Sequence, residues 1–203
     1  MSLVDTVKGR VSLRATYITM LISSLISLTA SLVLSIDAIT LAKNPNASLA
    51  CNINSIVSCG KVASSWQSNL LGFPNSFLGL ICEPVVITLA MAGLGGAKFP
   101  KWFMRSALYV YFVGLLFAFW LFSQSYFVIG AFCPWCLLVT LSTITVFSSM
   151  FRVCALDGVL PLSETRREAI TKKIIAGWDS VGVTLILSIL ALAILFKYGK
   201  QIF

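Results

Sequence analysis

The chain contains no histidine, and charged residues make up only 11% of its 203 positions. Without imidazole, a zinc site would need four cysteines, Cys51 and Cys59 joining Cys133 and Cys136. So little charge beside 58% hydrophobic residues is more apolar than a soluble domain of this length can hide, and it defines an integral membrane protein. The alternating strand pattern of an outer-membrane barrel is absent, so helices must satisfy the backbone in lipid. No small-residue cleavage site closely follows the first apolar run, which is longer than a signal-peptide core and reads as an uncleaved signal anchor. Nor does any motif bind a flavin, a haem or a nicotinamide.

What is present is a series of five apolar runs, each long enough to cross a hydrocarbon core: Ala15 to Leu41, Ser76 to Ala97, Trp102 to Ala131, Cys133 to Met150, and Trp178 to Phe196. The net charge of +8 is no nucleic-acid patch, because the basic residues lie in the turns between runs. Lys8, Arg10, Arg14, Lys98, Lys101, Arg105, Arg152, Arg166, Arg167, Lys172 and Lys173 fall on one side, against Lys43, Lys61, Lys197 and Lys200 on the other. By the positive-inside rule the first set is cytoplasmic. The C-terminus, the segment from Lys43 to Asn75, and the Cys133/Cys136 pair are then extracytoplasmic, in an oxidising compartment.

Cys133-Pro134-Trp135-Cys136 opens the fourth run. A helix starting near Cys133 puts its free N–H groups and dipole beside that sulfur and favours the thiolate, the reacting form, whose pKa in such settings is ~3.5 to 7.5. Pro134 suits a first helical turn. The spacing sets both sulfurs one turn apart, fit to close a disulfide and open it again.

The outer segment Lys43 to Asn75 carries Cys51 and Cys59. Ile56, Val57, Val62, Trp66, Leu70 and Leu71 recur near helical intervals, predicting a cap with a short amphipathic helix on the membrane face, Ser58 at its N-cap and Cys59 in its first turn. In the first run, Ser23, Ser24, Ser27, Thr29, Ser31 and Ser35 suit a packed helix interface. Asp37 reads as an interfacial acid paired with water or Lys43, although an acid in an apolar run is also a functional candidate. Residues 1–14 read as a basic tail. Glu83 lies about 12 Å along the second helix from Asn75 and so inside the bilayer, a candidate for proton handling, a pocket wall or a hydrogen bond to a neighbouring helix. Cys82 beside it reads as a small core hydrophobe, and Cys154 as an idle thiol. The aromatic third helix offers Trp120 to Phe127, including Phe122, as one wall of a flat apolar pocket, with Gln124 as a hydrogen-bond donor. The fifth run has no charge between Asp179 and Lys197 and shows no chemistry.

Two cysteine pairs on one face, one of them at a helix mouth by an apolar pocket, make sense as a thiol–disulfide relay ending in a lipid-soluble oxidant. Cys51, Ser58-Cys59-Gly60, Phe73-Pro74-Asn75-Ser76 with Leu78-Gly79, and Cys133-Pro134-Trp135-Cys136 together resemble the vitamin K epoxide reductase family, specifically its bacterial homologues, over roughly Ala15 to Phe151. The resemblance implies an all-α polytopic fold: a four-helix bundle around a quinone at 1–151 with an extracytoplasmic cap at 43–75. A cytoplasmic linker at 152–177 and a fifth transmembrane helix at 178–203 then complete the chain.

It further implies a DsbB-like enzyme of the plasma or inner membrane that supports disulfide formation in exported proteins. Cys51 and Cys59 are then the shuttle pair, with Cys51 meeting the partner's thiol. Cys59 exchanges with Cys133, and Cys136 faces the quinone, of menaquinone, ubiquinone or vitamin K type. Asn75, Glu83, Phe122, Trp135 and Thr140 are expected around that quinone, Asn75 donating to an oxygen. Members acting on vitamin K carry a tyrosine where this chain has Thr140, which favours plain quinone reduction. Many bacterial members carry a fused thioredoxin-like domain, so the expected partner is a separate thioredoxin-fold oxidase similar to DsbA, alongside membrane lipid and no nucleic acid. The rivals are quinone-epoxide reduction and a four-thiolate metal-binding membrane protein.

Overall fold

The computed structural model describes the backbone of residues 3–54 and 56–202, and side chains of residues 13–54 and 56–198. The side chains of Lys8, Arg10 and Lys200, used above for charge bias, lie outside the described residues. The chain runs α1 (Leu3–Lys43), α2 (Cys59–Ala63), α3 (Ser76–Leu94), α4 (Lys101–Ser123), α5 (Pro134–Leu156), α6 (Glu164–Ile175) and α7 (Trp178–Ile202). Five stretches among the described residues are long and apolar enough to cross a membrane: Leu13–Lys43, Ser76–Leu94, Lys101–Ile129, Pro134–Leu156 and Trp178–Tyr198. The protein is thus all-α and polytopic, as the apolar runs require. Large apolar side chains such as Ile22, Ile81, Leu116 and Phe196 remain exposed on the helices, as lipid-facing residues should.

Several boundaries differ from those read in the sequence: the second run is helical only to Leu94, and the first and fifth extend to Lys43 and Ile202. The stretch taken as an N-terminal tail is helical from Leu3, continuous with α1. The third apolar run is α-helical only to Ser123, after which Gln124–Ile129 form a π turn closed by Gly130 in the left-handed conformation at φ 63°. The fourth continues past Met150 to Leu156.

α1 packs chiefly on α3 and α5, and α4 packs on α5. A small-residue stripe makes the first of these contacts possible: Ser24, Ser27, Ala30, Ser31 and Ser35 are all buried. The Ser35 hydroxyl donates to that of Ser76 at 2.9 Å, tying the stripe to the start of α3. At the closest approach a Cβ on Gly79 would stand 2.0 Å from Ser31 Oγ, so only glycine fits there. The buried side chains form two clusters. One, away from the cap, gathers Met20, Val86, Leu89, Met104, Val146 and Met150; the other lies under the cap and contains Leu49, Cys51, Cys59, Val62, Ala131 and Cys133. Pro84 lies within α3 without ending it.

The cap is not one amphipathic helix. α2 is five residues long, and a single 3-10 turn, Trp66–Asn69, follows it. The apolar positions that suggested a continuous helix are divided, because Val57 leaves the helical pattern to form a parallel bridge with Phe132.

Candidate functional site

Cys51 and Cys59 are joined by a disulfide, while Cys133 and Cys136 are free thiols. The Sγ atoms of Cys133 and Cys59 are 3.5 Å apart. Reacting atoms ~3–3.5 Å apart define a near-attack arrangement, so the two cysteine pairs meet at one point through these two sulfurs.

Backbone pairing sets this contact. Ser58 N–H donates to the Phe132 carbonyl at 3.0 Å, and Phe132 N–H donates to the Ile56 carbonyl at 2.6 Å. Each cysteine follows directly after a residue of this ladder, so its register places Cys59 against Cys133. Two asparagines brace the cap side. Asn52 Oδ1 accepts from Gly60 N–H at 2.9 Å and from the Ser58 hydroxyl at 3.1 Å, and Asn54 Oδ1 accepts from the N–H groups of Ile56 and Val57. Ser58 is the N-cap of α2, its hydroxyl accepting from Lys61 N–H. That is the cap position expected of it, with Cys59 in the first turn.

Cys133 is itself the N-cap of α5, with Pro134 in the first turn, and its sulfur accepts from Cys136 N–H at 3.3 Å. A hydrogen bond from the Cys136 thiol is the largest cause holding the Cys133 thiol below its ordinary value. The N–H groups of Cys136 and Trp135 add to that, against burial and the charge of Asp37. Asp37 is not paired with Lys43; its Oδ2 lies 3.8 Å from Cys51 Sγ. Asp37, which reads as an interfacial acid or a functional one, thus sits beside the cap disulfide. One donor atom from each of Asp37, Cys51 and Cys59 lies within 4.8 Å of the others, but the disulfide leaves neither sulfur a thiolate for a metal.

Below the sulfurs lies a cavity of about 230 Å³ bounded by the cap and by helices α1, α3, α4, α5 and α7. For scale, a dry apolar cavity of ~150 Å³ takes up benzene. Cys59, Cys133 and Cys136 reach it, as do Asn75, Glu83, Phe122 and Thr140. Trp135 does not. Its ring packs on the cluster under the cap, because at one residue before Cys136 it sits about 100° around α5 from that wall. Cys51 is also absent from the wall, lying on the cap side at 8% exposure against 1% for Cys59. Within the aromatic stretch Leu121, Phe122, Ser125 and Tyr126 line the space, whereas Phe127 is 77% exposed. Gln124 is engaged by the cap, its side-chain oxygen accepting from Gln67 Nε2 at 3.4 Å.

The polar groups of the wall are unevenly satisfied. Thr140 donates back to the Cys136 carbonyl at 3.0 Å. Asn75 Nδ2 donates to the Gln67 carbonyl at 2.6 Å, while its Oδ1 has no partner. Tyr111, which sequence reasoning missed, donates to Glu83 Oε1 at 2.8 Å, leaving Oε2 without one. Ser31 Oγ and the Tyr198 hydroxyl, on the same wall, are likewise buried and unpartnered. Buried polar atoms are rarely left so, and four around one apolar cavity mark a space shaped for a mostly apolar molecule carrying polar atoms. Tyr198 gave no signal in the sequence, since its burial depends on where α7 docks.

Fold and site together define a polytopic membrane protein in which a dithiol at a helix mouth touches a second, disulfide-bonded cysteine pair above an apolar cavity. A sequence model of the Vitamin K epoxide reductase family matches residues 18–151, which include all four of these cysteines, and the chain belongs to that family. No curated protein is similar enough to match. The family's members are membrane thiol–disulfide oxidoreductases and quinone reductases, and this chain is a multi-pass membrane oxidoreductase of that class. The family generally uses quinones. The cavity suits such a group, with apolar walls for a flat ring and the polar side chains of Asn75, Glu83 and Tyr198 reaching the same space.

Proposed function

We propose that the protein reoxidises a thioredoxin-fold, DsbA-like partner and passes two electrons to a membrane quinone, supporting disulfide formation in exported proteins. The observation that carries this reading is the 3.5 Å contact between the sulfurs of Cys59 and Cys133. A relay needs one such meeting point and no more. The bias of basic residues supports a plasma or inner-membrane setting with the N-terminus cytoplasmic and the cap, the cysteines and the C-terminus outside, where disulfides persist.

In this reading a partner thiolate attacks Cys51, and the Cys51–Cys59 bond breaks with Cys59 leaving as thiolate. The partner's second thiolate then displaces Cys51, releasing the oxidised partner. Cys59 next attacks Cys133 of an oxidised Cys133–Cys136 pair, expelling Cys136. Cys51 displaces Cys133 from Cys59 to restore the shuttle disulfide, leaving the lower pair reduced. That distribution, upper pair oxidised and lower pair reduced, is the one in the structure. When bound, a quinone accepts the two electrons released as Cys133 and Cys136 rejoin, together with two protons, and leaves as quinol. Cys136 is the sulfur on the cavity wall without a bond to the cap, which suits it to that exchange. Asn75, through the amide N–H that Gln67 does not take, and Glu83, when protonated, would donate to the ring oxygens. Thr140, standing where members acting on vitamin K carry a tyrosine, supports reduction of the quinone rather than of its epoxide.

The test is to purify the double variant Cys51→Ala with Cys136→Ala under mild oxidation and map its disulfides by mass spectrometry. A Cys59–Cys133 link is expected, with turnover of a reduced partner abolished in each single variant while Cys82→Ala and Cys154→Ala retain it. Turnover by Cys59→Ala would overturn the relay, and reduction of vitamin K epoxide with no quinone reduction would replace the assigned direction.

A further inference from the structure

The matched family segment ends at residue 151, so α7 lies outside it. Most of α7 faces outward: Leu192 is 65% exposed, Leu195 53% and Phe196 91%. One stripe is buried instead, Leu190, Ile194 and Tyr198, at intervals of four residues. Ile194 and Tyr198 from this stripe line the cavity beneath the cysteines.

The outer end of α7 is fastened there. Tyr198 sits between Phe132, the residue before Cys133, at 6.2 Å between ring centroids, and Tyr126 of the π turn at 6.1 Å. The Lys197 ammonium lies 4.2 Å from the Tyr126 ring centroid and donates to the Tyr126 carbonyl, and the Tyr126 hydroxyl donates to the Ala193 carbonyl at 3.3 Å. For packing alone, phenylalanine at 198 would serve as well. The hydroxyl is buried without a partner on a residue that is 4% exposed, and a buried donor left unsatisfied is destabilising. Tyr198 lines the same cavity as Cys133 and Cys136, together with Asn75 and Glu83.

We propose that α7 is part of the ligand site and that the Tyr198 hydroxyl donates a hydrogen bond to a carbonyl oxygen of the bound quinone. The inference rests on the quinone reading of the cavity. Tyr198 is a binding residue in this account, and the π turn with Lys197 holds its ring in place.

Removing one oxygen isolates the claim. Full-length wild type and Tyr198→Phe are reconstituted in nanodiscs and titrated with menadione and with a benzoquinone bearing a ten-carbon tail, following quenching of tryptophan fluorescence. Thermal unfolding is recorded without quinone, and Tyr109→Phe, on the exposed face of α4, serves as control. Tyr198→Phe is expected to weaken binding of both probes about five- to tenfold while its quinone-free unfolding midpoint stays the same or rises. Unchanged affinity in Tyr198→Phe beside a binding wild type would overturn the role of Tyr198 alone. A fall of several degrees in the quinone-free midpoint would also overturn it, by showing that the hydroxyl has a partner within the protein. If wild type binds neither probe, the quinone reading of the cavity falls, and this inference falls with it.

Discussion

Cys133 Sγ stands 3.5 Å from Cys59 Sγ, the two residues 74 positions apart in the chain, and the backbone pairing of Val57 with Phe132 brings them there. The two sulfurs already stand at the separation from which an exchange starts. What controls the reaction is then the ionisation of Cys133, the hold of the cap and the state of the cavity, and each leads to a measurement.

The first concerns pH. Cys133 is held below an ordinary thiol, foremost by the Cys136 thiol and against the charge of Asp37. Its thiolate is present above that lowered value and is lost as pH falls through it. Any stability gained from the shift is likewise complete above the unfolded-cysteine value of ~8.5 and fades as pH falls through the folded one. Thiolate absorbance of single-cysteine-pair variants reads this directly. Cys136→Ala should move the Cys133 transition upward, and Asp37→Asn should move it downward. Shifts of the same sign in both variants would contradict the assigned causes.

The second concerns the cap. Asn52→Ala removes the acceptor for Gly60 N–H and the Ser58 hydroxyl, an expected loss of about 0.5–1.5 kcal/mol in the stability of the cap region. A Cβ on Gly60 would stand 2.9 Å from Asn52 Nδ2, so Gly60→Ala should displace the same side chain. Both variants should slow Cys59–Cys133 exchange, measured by quenched-flow trapping, and raise hydrogen exchange at residues 52–60. The α1–α3 interface should keep its protection.

The third concerns the buried acid. Tyr111→Phe removes the hydroxyl that donates to Glu83 Oε1, leaving that oxygen unpartnered on a carboxyl at 3% exposure. Thermal unfolding should show a loss of about 1–3 kcal/mol. Tyr111→Phe with Glu83→Leu should recover most of it, since replacing both partners by apolar groups is close to neutral. Failure of the second substitution to rescue the first would mean that the pair serves something other than mutual satisfaction.

Much of this protein follows from composition and spacing alone. An apolar run of some twenty residues in lipid has no backbone solution other than a helix or a closed barrel, so five runs without strand alternation meant five crossing helices. The start of α5 was equally legible, because Cys133 and Pro134 occupy positions that helix ends select by local chemistry. The serine stripe on α1 and Ser58 as a cap follow from the same short-range rules.

Tertiary structure decided the rest. Val57 fitted a helical pattern on apolarity but was taken by a bridge to Phe132, since hydropathy cannot see a backbone partner 75 residues away. Asp37 was assigned to the membrane interface by depth along α1, yet the loop folding back over it puts Cys51 at its carboxyl. Trp135 belongs to the redox motif in sequence but turns away from the cavity, because helical rotation separates neighbours that the motif joins. Tyr198, on a helix that offered no chemical signal, reaches the cavity only because α7 docks against the π turn. The sequence determined which segments cross the membrane and where their helices begin. Which side chains face one another across those helices depends on packing between distant segments, and no local pattern encodes it.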